Sequence, residues 1–261
     1  MIDFDCHAHV YEQFVAVEGA RYAPNALAPL DKWLEHQRTH GLSGGVIVQV
    51  SFLGADNSQL LSALAGLDKS RFAGVAVVPI DIGAEELELL VDQGIRGVRW
   101  NLVHGAAIPD FGLKPVRDFL AKLRARNLHL EIHLEGPRLA GILDPLTDQG
   151  LKVVIDHFGL PSEANPLRDR MVTAVKSLQR ENLYMKFSAH YRTPFDLSPH
   201  AHELLSALSA DRVVWGSDWP HTQHETVADF SGCIEFGRSL WPASDNSAVT
   251  SLYGLKRLQR V

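Results

Sequence analysis

Histidine and aspartate gather at four places in this 261-residue chain where an apolar run gives way to a polar stretch. These are His7-Ala-His9, His133, Asp156-His157, and Asp218 within Gly216-Ser217-Asp218-Trp219-Pro220-His221. Residues i and i+2 of a strand project to the same side, so His7 and His9 can enter one opening together. A lone HxH is as readily structural as functional. Several strand ends that carry imidazole or carboxylate and converge on one mouth are harder to assign to packing.

Two chemistries suit the set. In the first, His7, His9, His133 and Asp218 ligate one divalent cation such as zinc, with room left for a water whose pKa the cation lowers. His157 then polarises the substrate. In the second, no metal binds. The histidines hydrogen-bond the carbonyl of a lactone or ester as an oxyanion-type site, and Asp218 takes a proton from the attacking water. Asp218 is central to both, with His157 as an electrophilic helper.

Arg99 in GVRWN and Arg192 in SAHYR follow further apolar runs, and an arginine fork matches a carboxylate. Two of them at one mouth suit a carboxylated substrate, while either one alone is as readily an exposed or salt-bridged side chain. Gln49, Ser51 and Tyr191 are candidate neutral donors. Trp100 and Trp219 are open to either a packing or a site role, and Trp215, mid-strand, reads as packing. IRGVRWN lacks the lysine that a bridging carbamate between two metals would need, and no GxSxG elbow is present. Lys186 shares a side with Ser188 and is either a site residue or a structural group of the interior. If His7 faces inward, Cys6 should face away from the axis.

The elements that must position these residues alternate along the chain. Strand patterns cover Ile2–Cys6, Gly45–Val50, Ala73–Pro79, Gly97–Asn101, Leu128–Leu134, Lys152–His157, Leu183–Ser188 and Arg212–Gly216. Several are unbroken apolar runs (VIVQV, VAVV, RVVW), as parallel strands covered on both faces should be. Helical spacing covers Pro29–His40, Asn57–Leu67 and Lys114–Arg126. Asp56 or Asn57 and Ser198 are candidate N-caps, and Gly41, Gly94 and Gly150 stand at expected helix ends. The tail from Val227 reads as two helices broken at Pro242.

Eight strands alternating with helices predict an α/β chain closed into one (β/α)8 TIM-type barrel over residues 1–261. Dinucleotide and nucleotide fingerprints of open sheets are missing. The irregular stretches Val10–Ala28, His104–Gly112, Gly159–Pro166 and Ala189–Pro199 all follow strands, where barrel enzymes build their sites.

Composition is that of a globular protein: 46% hydrophobic, 21% charged and a net charge of −6. Basic residues are not clustered, which argues against a nucleic-acid partner. The two cysteines make no disulfide framework, and neither a leader nor a membrane-length apolar run is seen. A cytoplasmic location follows as the expectation, with a small anionic or lactone molecule as partner and a homo-oligomer left open.

IDFDCHAHVYE, VQVSFLGADN, GVRWNLV, VIDHFG, KFSAHYR and VVWGSDWPH together resemble the amidohydrolase superfamily, in register from Ile2 to about His221. More closely, they look like its branch of 2-pyrone-4,6-dicarboxylate lactonases and sugar lactonases. The resemblance implies a lactone-opening hydrolase with Asp218 as the base and His7, His9 and His157 on the carbonyl oxygen. It also implies that Ser51, Arg99, Tyr191 and Arg192 hold carboxylates or hydroxyls, without a metal. His133 departs from that branch and matches mononuclear metal-dependent members, including decarboxylases of aromatic-pathway acids. The loop at His104-Gly105-Ala106 lacks the further arginine expected for a dicarboxylate. The expectation is a metal-free lactonase, with His133 and Gln49 also binding substrate. A metal-dependent decarboxylase is the alternative, and a non-catalytic binding barrel a third reading.

Overall fold

Short β-branched strands with both faces apolar cannot leave either face in water. In the computed structural model, which describes residues 2–13, 16–20, 22–241 and 246–257, they form a parallel ring. The strands are β1 (Phe4–Ala8), β2 (Gly44–Val48), β3 (Phe72–Ala76), β4 (Ile95–Asn101), β5 (His129–His133), β6 (Val153–Ile155), β7 (Leu183–Ser188) and β8 (Val213–Gly216). They pair in sequence order, every pairing parallel. The seam between the last and first strands is closed just beyond β8. There Asp218 N–H donates to the His7 carbonyl at 2.8 Å and His9 N–H donates to the Trp219 carbonyl at 2.7 Å. This is the (β/α)8 TIM-type barrel that the alternation predicts.

Alternation along each strand sorts side chains into two apolar layers. Val46, Val48, Ala73, Val75, Val154, Tyr184 and Val214 face inward and pack with Leu252 and Tyr253 of the helix Ser247–Tyr253, which plugs the N-terminal end of the barrel. Ile47, Val98, Leu130, Ile132, Met185 and Trp215 face outward into the shell of helices, together with Trp100 and Trp219. Above the plug the inward positions turn polar: Arg99, Glu131, Asp156 and Lys186 are all buried.

Cys6 faces the inner layer with Phe4, Val46 and Val48, not away from the axis. The cause is the register. Asp5 pairs with Gly45 but Ala8 pairs with Ile47, so β1 spends three residues where β2 spends two. Such a bulge breaks strict alternation, and Cys6 and His7 both reach the interior. Asp5, turned outward, ties the seam together by accepting from Trp33 Nε1 at 2.9 Å and from the Ser217 hydroxyl at 2.7 Å.

Strand limits differ from the patterns chiefly at two ends that matter. β1 runs on through Ala8, so His7 lies within it, and β6 stops at Ile155, leaving His157 on a following 3-10 turn. The helices Leu30–Thr39, Ser58–Ala65 and Lys114–Ala125 appear within the spans their periodicity marks. Gly41, Gly94 and Gly150 have positive φ at helix ends, as expected. Ser198 is not a cap: it is the first residue of its helix, and Asp196 accepts its N–H. Asn57 holds the N-cap position expected of Asp56 or Asn57, but its side chain ties the loop to Val77 just beyond β3, and Asp56 accepts the Ser58 N–H. The tail holds the helices Phe230–Leu240 and Ser247–Tyr253; the break expected at Pro242 lies outside the described residues. Among the described residues no helix is long and apolar enough to cross a membrane.

Candidate active site

The C-terminal strand ends bring His7, His9, His157 and Asp218 to one point. Asp218 Oδ1 lies 3.7 Å from His7 Nε2, 3.7 Å from His9 Nε2 and 3.8 Å from His157 Nε2. Among the described residues neither Asp218 Oδ1 nor His7 Nε2 has a hydrogen-bond partner, although both are buried. The other carboxylate oxygen is fully engaged. Tyr191 Oη donates to Oδ2 at 2.6 Å, Arg192 Nε at 3.0 Å and Arg192 Nη2 at 2.8 Å. Both His157 (φ 51°) and Asp218 (φ 59°) occupy the left-handed region that non-glycine residues avoid. Each such residue stores about 1–3 kcal/mol that the surrounding fold must supply.

The partners of each imidazole decide where its proton sits. His9 Nδ1 lies 2.8 Å from the Val48 carbonyl, which can only accept, so Nδ1 carries the hydrogen and Nε2 faces the site as a lone pair. A neutral His9 is therefore an acceptor, not the carbonyl donor that the sequence reading assigns. His133 is the reverse: Arg99 Nη2 donates to its Nδ1 at 3.1 Å, leaving the hydrogen on Nε2. His157 Nδ1 meets the Ser188 hydroxyl at 2.8 Å, a group that accommodates either tautomer.

These protons test the cation shell. The ligand types at the mouth suit a divalent metal, and His7, His157 and Asp218 lie close enough together to share one. The shell of His7, His9, His133 and Asp218 does not fit, because His133 with Nδ1 occupied by Arg99 has no lone pair on Nε2. A second cluster of possible ligands, His7, Glu131 and Asp156, is filled from within the protein. Lys186 Nζ sits among them, 2.7 Å from Glu131, 3.1 Å from His7 Nδ1 and 3.5 Å from Asp156.

Electrostatics keep the Asp218 carboxylate charged and the rings neutral. Burial works to raise the Asp218 carboxyl, but the Arg192 guanidinium holds it well below the usual carboxylate range. Burial pushes His9 and His157 down to about 4. His7 and His133 are also held well below their ordinary value, by burial first and then by Lys186 and Arg99 respectively. Asp156, despite its burial, is held well below its ordinary value by Lys186 and Arg99.

A cavity of about 370 Å³ opens above this cluster, and His9, Ser51, Arg99, His133, His157, Arg192 and Asp218 all contribute to its wall. Tyr191 reaches it through Asp218. Gln49 does not belong to the wall. Its amide donates to the carbonyls of Gly54 and Asp56, so it shapes the loop after β2. The wall also includes Tyr22, Asn101, Thr222 and Gln223, which the sequence reading misses. Asn101 follows Arg99 by two on β4, and the same-side rule could have found it. Tyr22 lies in a loop without periodicity, and no local signal marks it.

The family model described as amidohydrolase matches residues 4–232. A 4-sulfomuconolactone hydrolase from Rhizobium radiobacter is 29% identical over 233 residues, covering 84% of this chain and 76% of the relative. A 2-pyrone-4,6-dicarboxylate hydrolase from Comamonas testosteroni is 29% identical over 238 residues, covering 83% and 76%. A solved structure from Acinetobacter baumannii, described as a probable 2-pyrone-4,6-dicarboxylic acid hydrolase with citric acid bound, superposes with a TM-score of 0.85. It is 31% identical and covers 98% of this chain and all (100%) of its own.

Proposed function

The chain belongs to the amidohydrolase family, and on that premise we propose that it is an enzyme that opens an anionic lactone by metal-free hydrolysis. One observation carries the reading: Asp218 Oδ1, charged, buried and without a partner, sits at the floor of a cavity among three imidazole Nε2 atoms. The names of the relatives support a lactone as the substrate class.

The attacking water hydrogen-bonds to two acceptors, Asp218 Oδ1 and the bare Nε2 of His9. As its oxygen bonds to the lactone carbonyl carbon, Asp218 Oδ1 takes the proton. His157, with Ser188 donating to its Nδ1, and His7 donate from Nε2 to the oxygen that becomes negative. The ring C–O bond then breaks, and Asp218 returns the proton to the departing ring oxygen. The product is an open-chain acid, and the site regains its starting protonation. Arg99 and Arg192 each keep an Nη1 without a protein partner among the described residues, so each can accept a carboxylate while holding Asp156 or Asp218. His133 Nε2–H, Ser51 and Tyr22 serve hydroxyls or carboxylates on the wall.

The test is a panel of carboxylated pyrones, muconolactones and sugar-acid lactones, followed by acid release, with carbon dioxide release from unsaturated acids measured in parallel. Lactone turnover that survives exhaustive chelation is expected. Asp218→Asn should lower kcat by at least about 1,000-fold while circular dichroism and Tm show the fold retained. Turnover within tenfold of wild type in that variant, or carbon dioxide release without lactone opening, would overturn the reading.

A further inference from the structure

Beneath the site, where no substrate reaches, one buried group bears on how the site works. Lys186 projects inward from β7, is fully buried at 0% exposed, and reaches His7 Nδ1. We propose that Lys186 is a positioning residue that fixes the ring proton of His7 on Nε2, and so makes His7 a hydrogen-bond donor to the reacting carbonyl oxygen instead of a metal ligand. The inference rests on the lactone-hydrolase reading and deepens it.

The distances favour one arrangement. Lys186 Nζ is 2.7 Å from Glu131 Oε2 and 3.5 Å from Asp156 Oδ1, and between two carboxylates it is an ammonium with donors only. It lies 3.1 Å from His7 Nδ1. An ammonium at that distance cannot face an N–H, so Nδ1 supplies the lone pair and the hydrogen sits on Nε2. Asp156 Oδ1, the other group near Nδ1, is farther away at 3.4 Å. Its partner oxygen is taken by Arg99 at 2.7 Å. The lysine is itself oriented: Glu131 also accepts from Tyr253 Oη and His129, which fixes the carboxylate that Lys186 grips.

The consequence falls on His7 Nε2, which has no partner among the described residues and lies 3.7 Å from Asp218 Oδ1 at the cavity floor. A metal-ligating imidazole presents a lone pair there and donates from its other nitrogen to a carboxylate or carbonyl. At His7 the nearest group to that nitrogen is the Lys186 ammonium, closer than the Asp156 carboxylate. The shared opening of His7, His157 and Asp218 therefore offers a donor to an oxygen atom of substrate, which agrees with hydrolysis that needs no cation.

Nitrogen-15 NMR of the histidine side chains in the wild-type protein reads the tautomer without any substrate. His7, assigned by the resonance lost in His7→Asn, should appear as the neutral Nε2–H form. Appearance as Nδ1–H would overturn the proposal. The paired variant Lys186→Met with Glu131→Gln keeps the buried charge balanced, so that folding is retained. In it His7 should leave the pure Nε2–H form, and kcat should fall about 100-fold with KM changed less than about threefold, as for loss of one oxyanion donor. An unchanged tautomer and unchanged kcat in that variant would also overturn it. Because the tautomer is read without turnover, a wild-type Nε2–H signal with no lactone hydrolysed would count against the reaction alone.

Discussion

Asp218 has two oxygens with different tasks, and the division explains how a fully buried carboxylate stays charged. Oδ2 takes three hydrogen bonds from Tyr191 and Arg192, while Oδ1 takes none and faces the rings. Arg192 opposes the burial that would otherwise raise this carboxyl. In Arg192→Met the carboxyl should therefore titrate higher, and the acid limb of kcat/KM should move up in pH. Wild type should hold its activity down to about pH 5, since the neutral rings His9 and His157 titrate only near 4. A pH–rate profile in which the acid limb of the variant matches that of wild type would remove Arg192 from this role. Residue types alone pointed to this site, because imidazole and carboxylate at strand ends are recognisable. Their roles were not legible: His9 as acceptor and His133 as donor follow from Val48 and Arg99, partners 39 and 34 positions away in the chain.

At the scale of elements, the seam between β1 and β8 aims the site. The bulge in β1 turns His7 inward, and two backbone hydrogen bonds join it to the segment that carries Asp218. Gly216 makes that approach possible: a Cβ there would lie 2.5 Å from His7 Cβ and 2.9 Å from His7 N. Backbone at that distance cannot move aside as a side-chain tip can. Gly216→Ala should thus displace His7 and lower kcat by about tenfold or more, as small misplacements of catalytic groups do, together with a loss of roughly 1–3 kcal/mol in stability. Urea denaturation and steady-state kinetics measure the two, and a variant with wild-type kcat would show that the seam tolerates the methyl. Apolar runs and helical spacing made the strands and helices legible. The bulge was not, since a register shift is visible only against the neighbouring strand.

Across the whole molecule, the interior is layered: an apolar plug under Tyr253, a belt of Glu131, Lys186, Asp156 and Arg99, and the imidazole mouth above. Keeping several rings neutral in the folded state makes stability depend on pH. His9 and His157 have folded values near 4 against 6.5 in an open chain, so between these limits the unfolded state binds more protons. Stability is complete above about pH 6.5 and falls as pH drops towards 4, by roughly 3 kcal/mol for each ring. Asp5, raised from 3.8 to about 6, acts in the opposite sense over its own window and offsets about one ring. Urea midpoints should therefore decrease from pH 6.5 to pH 4, and a constant or rising midpoint would mean that the rings are not held neutral.

The sequence by itself determined the ring of strands and the residue types at its mouth. Both are written in local properties, the alternation of apolar and polar residues and the identity of the side chain at each strand end. Only the tertiary structure decided what each nitrogen does. A proton's place on an imidazole depends on the group opposite its other nitrogen, and those groups arrive from strands far apart in the chain. Lys186 shows the difference most plainly. From the sequence it is a lysine in an apolar strand with two equal readings; in the barrel it is the cation that sits against His7.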